Sequence, residues 1–318
     1  LSDSPILRPP GLTALLFAPS LAPARADDGF AGAYLAARSA DQSADYAAVV
    51  EYGARALAAD PENAGLMEGL IIAQIGLGQI EQAVPVARRL AAVREGNQVA
   101  GLILAADAMK REDWGTVLGQ LAEGISVGGF LDRMIEAWAL VGDGQMSRAI
   151  TAFEQLTEDP GTKQAALIQM ALALALVGDH EGAARLFSGE EEVLQLNRAG
   201  IVAYAQVLSQ LERNPDAVSL LETAFPDTAD RELTTLRDEL RAGKPIPFTT
   251  ISGAREGLSQ LFYEVAESLA GETDPGLVLI YARISEFLEP ATVGATLVAA
   301  SVLEEVENHA LAAESYAR

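Results

Sequence analysis

The chain has 318 residues, half of them hydrophobic and 21% charged, with 22 Lys and Arg against 45 Asp and Glu for a net charge of −23. That balance supports a large buried core, spread over two domains or a repeat array, and excludes a disordered chain. The acidity argues against nucleic acid and anionic membrane surfaces as partners, because both need a basic face. The absence of cysteine removes disulfides, thiolate nucleophiles and Cys-based zinc sites.

Alanine and leucine dominate and aromatics are scarce, a composition that favours helix because these side chains lose little rotamer freedom there. An all-α protein is expected. Residues 1–26 carry Arg8, an apolar run from Leu12 to Leu21, and Ala24-Arg25-Ala26 ahead of Asp27-Asp28. That is the order of a secretory signal peptide, and the run is too short for a transmembrane helix. Pro19 and Pro23 leave a disordered tail as the alternative. The first reading predicts an exported protein and the second a cytoplasmic one.

From residue 27 to 225 a frame repeats. Its first turn position falls on Ala44, Gly78, Glu112, Gly144, Gly178 and Glu212, in steps of 34, 34, 32, 34 and 34 residues. Two positions on comes a bulky residue: Tyr46, Ile80, Trp114, Met146 or His180. Three further on comes a small apolar one, and four after that usually a large one, as in Ala183 and Phe187. A regular period of this length predicts a solenoid, in which each helix pair covers its apolar face only by stacking on its neighbours. Asn214-Pro215 suggests a capping asparagine followed by proline at the first helical position.

The frame is lost over residues 226–255. There Asp230 to Ala242 reads as an amphipathic helix and GKPIPF as an extended connector fixed by two prolines. It resumes over 256–318, with turn positions at Thr273 and Glu307, again 34 apart. Two sub-arrays joined by an irregular linker are predicted; one continuous superhelix with a bulged repeat is the alternative. The last repeat is apparently truncated, which suggests a piece of a longer protein or an end covered in a homo-oligomer.

The period, the small and large apolar positions, and Ala56 with Asp60-Pro61 closing the second helix of the first unit resemble the tetratricopeptide repeat (TPR) family. Individual repeats are degenerate: the family's first-helix tryptophan is absent from its position, and Gly53 stands where the second helix has a large residue. The resemblance implies a right-handed superhelical solenoid of antiparallel helix pairs. It also implies a concave groove lined by the first helix of each pair. Carried over by repeat position, the groove candidates are Tyr34, Arg38, Ile72, Leu102, Met109, Met134, Trp138, Ile168, Leu172, Val202 and Gln206. Such a groove takes a protein or peptide, or is filled by this protein's own helix around Asp230 to Ala242.

Enzymatic signals are weak beside this frame. His180 lies between acids in GDHE, but it and His309 both occupy the bulky slot of their units, which points to packing rather than proton transfer. Neither a catalytic residue nor a metal or cofactor site is expected. Gly124 to Gly129 reads as an inter-repeat loop, and Glu190-Glu191-Glu192 as a solvated helix start rather than a calcium site. The expected protein is a non-enzymatic scaffold or adaptor for a protein or peptide, in the periplasm or envelope of a bacterium. The alternative is a recognition module of a larger envelope-biogenesis or export machine, or of a longer chain with an enzyme elsewhere.

Overall fold

A computed structural model describes residues 28–189 and 192–318. The leader or tail expected over residues 1–26 lies outside the described residues, as do Glu190 and Glu191.

Every regular element among the described residues is a helix. In chain order they are α1 (Asp28–Gln42), α2 (Tyr46–Ala59), α3 (Ala64–Gly76), α4 (Ile80–Val93), α5 (Gln98–Lys110), α6 (Trp114–Ala122), α7 (Gly129–Gly142), α8 (Met146–Thr157), α9 (Pro160–Leu176), α10 (His180–Phe187), α11 (Arg198–Gln210) and α12 (Asn214–Ala224). There follow α13 (Arg231–Arg241), α14 (Ala254–Leu269), α15 (Pro275–Leu288), α16 (Val293–Glu305) and α17 (His309–Ala317). Successive helices pack on one another, except across the connector between α13 and α14, giving a TPR-like solenoid.

The turn inside each pair is built the same way, and the sequence frame marks it. Ala44, Gly78, Glu112, Gly144, Gly178, Glu212 and Glu307 all have φ between 51° and 86°, the left-handed region that lets a helix stop within one residue. The next residue is the N-cap of the following helix. Asp45, Asp113, Asp179 and Asn308 accept a backbone N–H through their side chains there, each contributing about 1 kcal/mol. Thr273 departs from the pattern: Gly271 takes the left-handed conformation (φ 77°), although Asp274 still caps α15.

GDHE is therefore a turn, a cap and a helix start. Gly178 reverses the chain, Asp179 accepts from the Gly182 N–H at 2.9 Å, and half-buried His180 opens α10. The slot it occupies is a packing slot elsewhere. Tyr46 lies on Gly76 and Trp114 on Gly142, each glycine ending the first helix of the next pair. A Cβ there would fall 2.7 and 2.4 Å from the rings. His309 differs, being exposed, because α17 is the last described helix and none packs over its start.

Two sequence expectations need correction. Asn214 is not a cap: Arg213 holds that position, and the Asn214 amide instead donates to the Leu240 and Lys244 carbonyls at the end of α13. Glu192 does not start a helix; it lies in the irregular stretch before α11 and pairs with Lys163 at 2.5 Å.

Candidate partner-binding surfaces

The first helices of the pairs, α1, α3, α5, α7, α9 and α11, carry all eleven groove candidates. Most of that face is covered by the chain's own residues 244–288, not by α13. The latter sits beside α12 over a small separate core of Ala205, Leu208, Ala217, Leu221, Leu233, Leu240 and Ile246. The reason is composition: α13 offers the array only a narrow apolar stripe, with Leu233 and Leu240 buried, whereas α14 buries Leu258, Leu261, Phe262 and Ala266.

The cover begins with the proline connector. Pro245 and Pro247 hold the chain extended around Ile246, whose N–H donates to Ser209 Oγ (2.9 Å) and whose carbonyl accepts from Gln210 Nε2 (2.6 Å). Gln206 reads Thr249 and Thr250. Its Oε1 accepts from the Thr249 N–H (2.9 Å), the Thr250 N–H (3.1 Å) and Thr250 Oγ1 (2.9 Å), and its Nε2 donates to Thr249 Oγ1 at 3.1 Å.

Helix α14 then crosses α9 and α7, and α15 crosses α5 and α3. Trp138 is fully buried with its ring against Gly257 of α14, where a Cβ would fall 2.4 Å from the indole. Its Nε1–H donates to Gln169 Oε1 at 2.8 Å, which fixes the amide so that Nε2 donates to Glu264 Oε2 at 2.8 Å. Burial pushes the Glu264 carboxyl above its ordinary value; hydrogen bonds from Gln260, Gln169 and Asn197 oppose the shift, and Glu267 nearby adds to it. Further along, Arg255 pairs with Glu112 and Glu289 (3.3 and 3.5 Å), Lys110 donates to the Leu288 carbonyl (3.2 Å), and Asn308 to the Ala44 carbonyl (2.9 Å).

The structure thus places Leu102, Met109, Met134, Trp138, Leu172 and Gln206 in the interior, and Ile72, Ile168 and Val202 half-buried. Tyr34 is half-buried, with its ring stacked on Phe30 at 5.8 Å, and Arg38 is exposed. These last two lie on α1, beyond the helices that α14 and α15 cover.

An open surface lies elsewhere. A cleft of about 500 Å³ runs between the end of α15, the first half of α16, the end of α17, the turn at Gly78 and the end of α5. Its apolar wall is Phe287, Pro290, Val293, Leu297 and Tyr316; Lys110, Arg283, Arg318, Glu81 and Glu286 supply its charges. Sequence reasoning missed this cleft. The frame marked the Tyr316 position, but the apolar wall of residues 287–316 becomes a cleft only against Gly78, Glu81 and Lys110, from a distant part of the chain, which no local pattern connects. Among the described residues, no group of three or more His, Cys, Asp or Glu is placed to hold a metal ion, and no helix is long and apolar enough to cross a membrane.

No protein-family model and no curated protein matches the chain. Among solved structures it is similar to the "Structure of Naa15/Naa10 bound to HypK-THB", at 15% identity and a TM-score of 0.33, over 90% of this chain and 62% of that one. The chain therefore spans less than two thirds of the length of that neighbour. The fold assignment stands on the helix order and turn geometry of the chain itself.

Proposed function

We propose that the chain is a non-enzymatic scaffold or adaptor that binds a protein or peptide, and that the open cleft, rather than the filled groove, is where it does so. One observation carries this reading. Val293, Leu297 and Tyr316 are 67%, 51% and 49% exposed, three of the eight large hydrophobic side chains left exposed among the described residues, and all three line this cleft. Single exposed apolar side chains are ordinary, whereas a cluster rimmed by charge around a concavity marks a place where burial by a partner gains free energy. Placement in a bacterial envelope belongs to the same proposal and depends on residues 1–26 acting as a leader.

The test is affinity capture from the envelope fraction of the source organism with three baits: the wild type, Leu297→Asp, and Leu35→Asp as a control on another exposed apolar residue. A protein recovered with the wild type and Leu35→Asp but lost with Leu297→Asp is the expected result. Identical recovery with all three would overturn the cleft assignment.

A further inference from the structure

Resting on that reading of the cleft, we infer the chemistry of its occupant: a peptide segment that carries a carboxylate beside bulky apolar side chains. The apolar part follows from the wall already described. The carboxylate follows from how the charges in the cleft are spent.

Glu286 is neutralised, since it accepts from Arg283 Nη1 at 2.6 Å and lies 3.6 Å from Arg318. Arg283 itself is only 2% exposed. Its Nη2 donates to Ser315 Oγ at 3.0 Å, and its Nε is buried with no hydrogen-bond partner. Lys110 is the cation left over. The residue is half-buried, its ammonium bonded to the Leu288 carbonyl and 5.6 Å from the centre of the Phe287 ring, with no carboxylate of the described residues within ion-pair distance. Glu81, on the α3–α4 side, is exposed to water and needs no partner. Among the side chains that line the cleft, cations therefore outnumber carboxylates three to two, in a chain of net charge −23.

The acidity of the whole chain does not cancel this preference. At physiological ionic strength charges are screened over about 8 Å, so the surface beyond the cleft acts weakly on a group seated against Lys110. A half-buried ammonium beside an aromatic face is a stronger partner for a carboxylate than an exposed one is. A basic peptide would instead meet Lys110 and Arg318 at contact.

The experiment selects random dodecapeptides displayed on phage against the full chain. Winners are then measured by fluorescence anisotropy against the wild type and Lys110→Met, Lys110→Arg and Leu297→Asp, each first shown to melt as the wild type does. The expected winners pair Asp or Glu with Leu, Ile, Phe or Met. Lys110→Met should weaken them about tenfold or more, Lys110→Arg should restore most of the affinity, and Leu297→Asp should abolish binding.

Apolar winners without an acidic residue, lost with Leu297→Asp but indifferent to Lys110→Met, would overturn the carboxylate and leave the adaptor reading standing. Winners that ignore Leu297→Asp would sink the cleft assignment itself. A concentration-dependent dimer in light scattering, dissociated by Leu297→Asp, would make a second copy the occupant and overturn the proposal.

Discussion

Two concave surfaces of the described residues differ in what covers them. The groove along α3, α5, α7, α9 and α11 and the cleft against α15, α16 and α17 both combine an apolar wall with a few polar groups. The groove is closed by the chain's own residues 244–288, whereas the cleft keeps its apolar side chains in water. The lesson is that lining a concave face does not make a residue available to a partner. Trp138 and Leu297 both project from first helices of pairs, yet one is core and the other surface.

That contrast can be broken most severely at Trp138. Trp138→Ala should cost about 3–5 kcal/mol in urea or thermal unfolding, the range for deleting a large buried aromatic. A loss below about 1 kcal/mol would mean that α14 does not seal the groove. Gly257→Val attacks the same contact from the other side. With the indole already 2.4 Å from the added carbon, it should cost about 2–3 kcal/mol despite the better helix propensity of the new residue. Gln206→Ala is next, at about 1–3 kcal/mol, because it leaves the Thr249 and Thr250 amides without their acceptor. Hydrogen exchange should quicken at those two amides more than in α7.

The pH prediction sharpens the comparison, since Glu264 titrates at the seal and not at the cleft. Its folded pKa lies above the ordinary carboxylate value through burial, with donors from Gln260 and Gln169 working the other way. Stability from the neutral acid is therefore complete below the unfolded value and lost as pH rises through the folded one. The melting temperature of the wild type minus that of Glu264→Gln should fall as pH is raised from about 4 to about 8. A flat difference would mean that the carboxyl is not shifted. The smallest effect is expected at the histidines: His180→Phe and His309→Ala should each stay within about 0.5 kcal/mol of the wild type, measured by the same melts.

The repeat was legible in the sequence because its turns make local demands: a residue at positive φ, and at Asp45, Asp113, Asp179, Asp274 and Asn308 a side chain that caps the next helix. Seven frame positions met the first of these, and Thr273 failed because glycine two residues earlier meets it with less strain. The small-residue slot was equally plain: Val49, Ala83, Val117, Ala149, Ala183, Ala217 and Ala312 are all buried. What fills the groove was not legible. The pairing of Trp138 with Gly257, or Gln206 with Thr249, joins residues far apart in the chain and leaves no periodic mark on either segment. Helix α13 was a reasonable candidate for the filling, but its mostly charged surface suits the flank of α12 better than an apolar trough.

The proline connector that lies along α11 also sets an order in time. The groove is made from residues 64–210, and its cover is made afterwards. At ordinary synthesis rates Trp138 leaves the ribosome on the order of ten seconds before Gly257 does. Throughout that interval the nascent array holds a bare apolar trough, the kind of surface a chaperone holds back from aggregation. The segment gripped by Gln206, Ser209 and Gln210, residues 246–250, is the first part of the cover to emerge, ahead of α14 and α15.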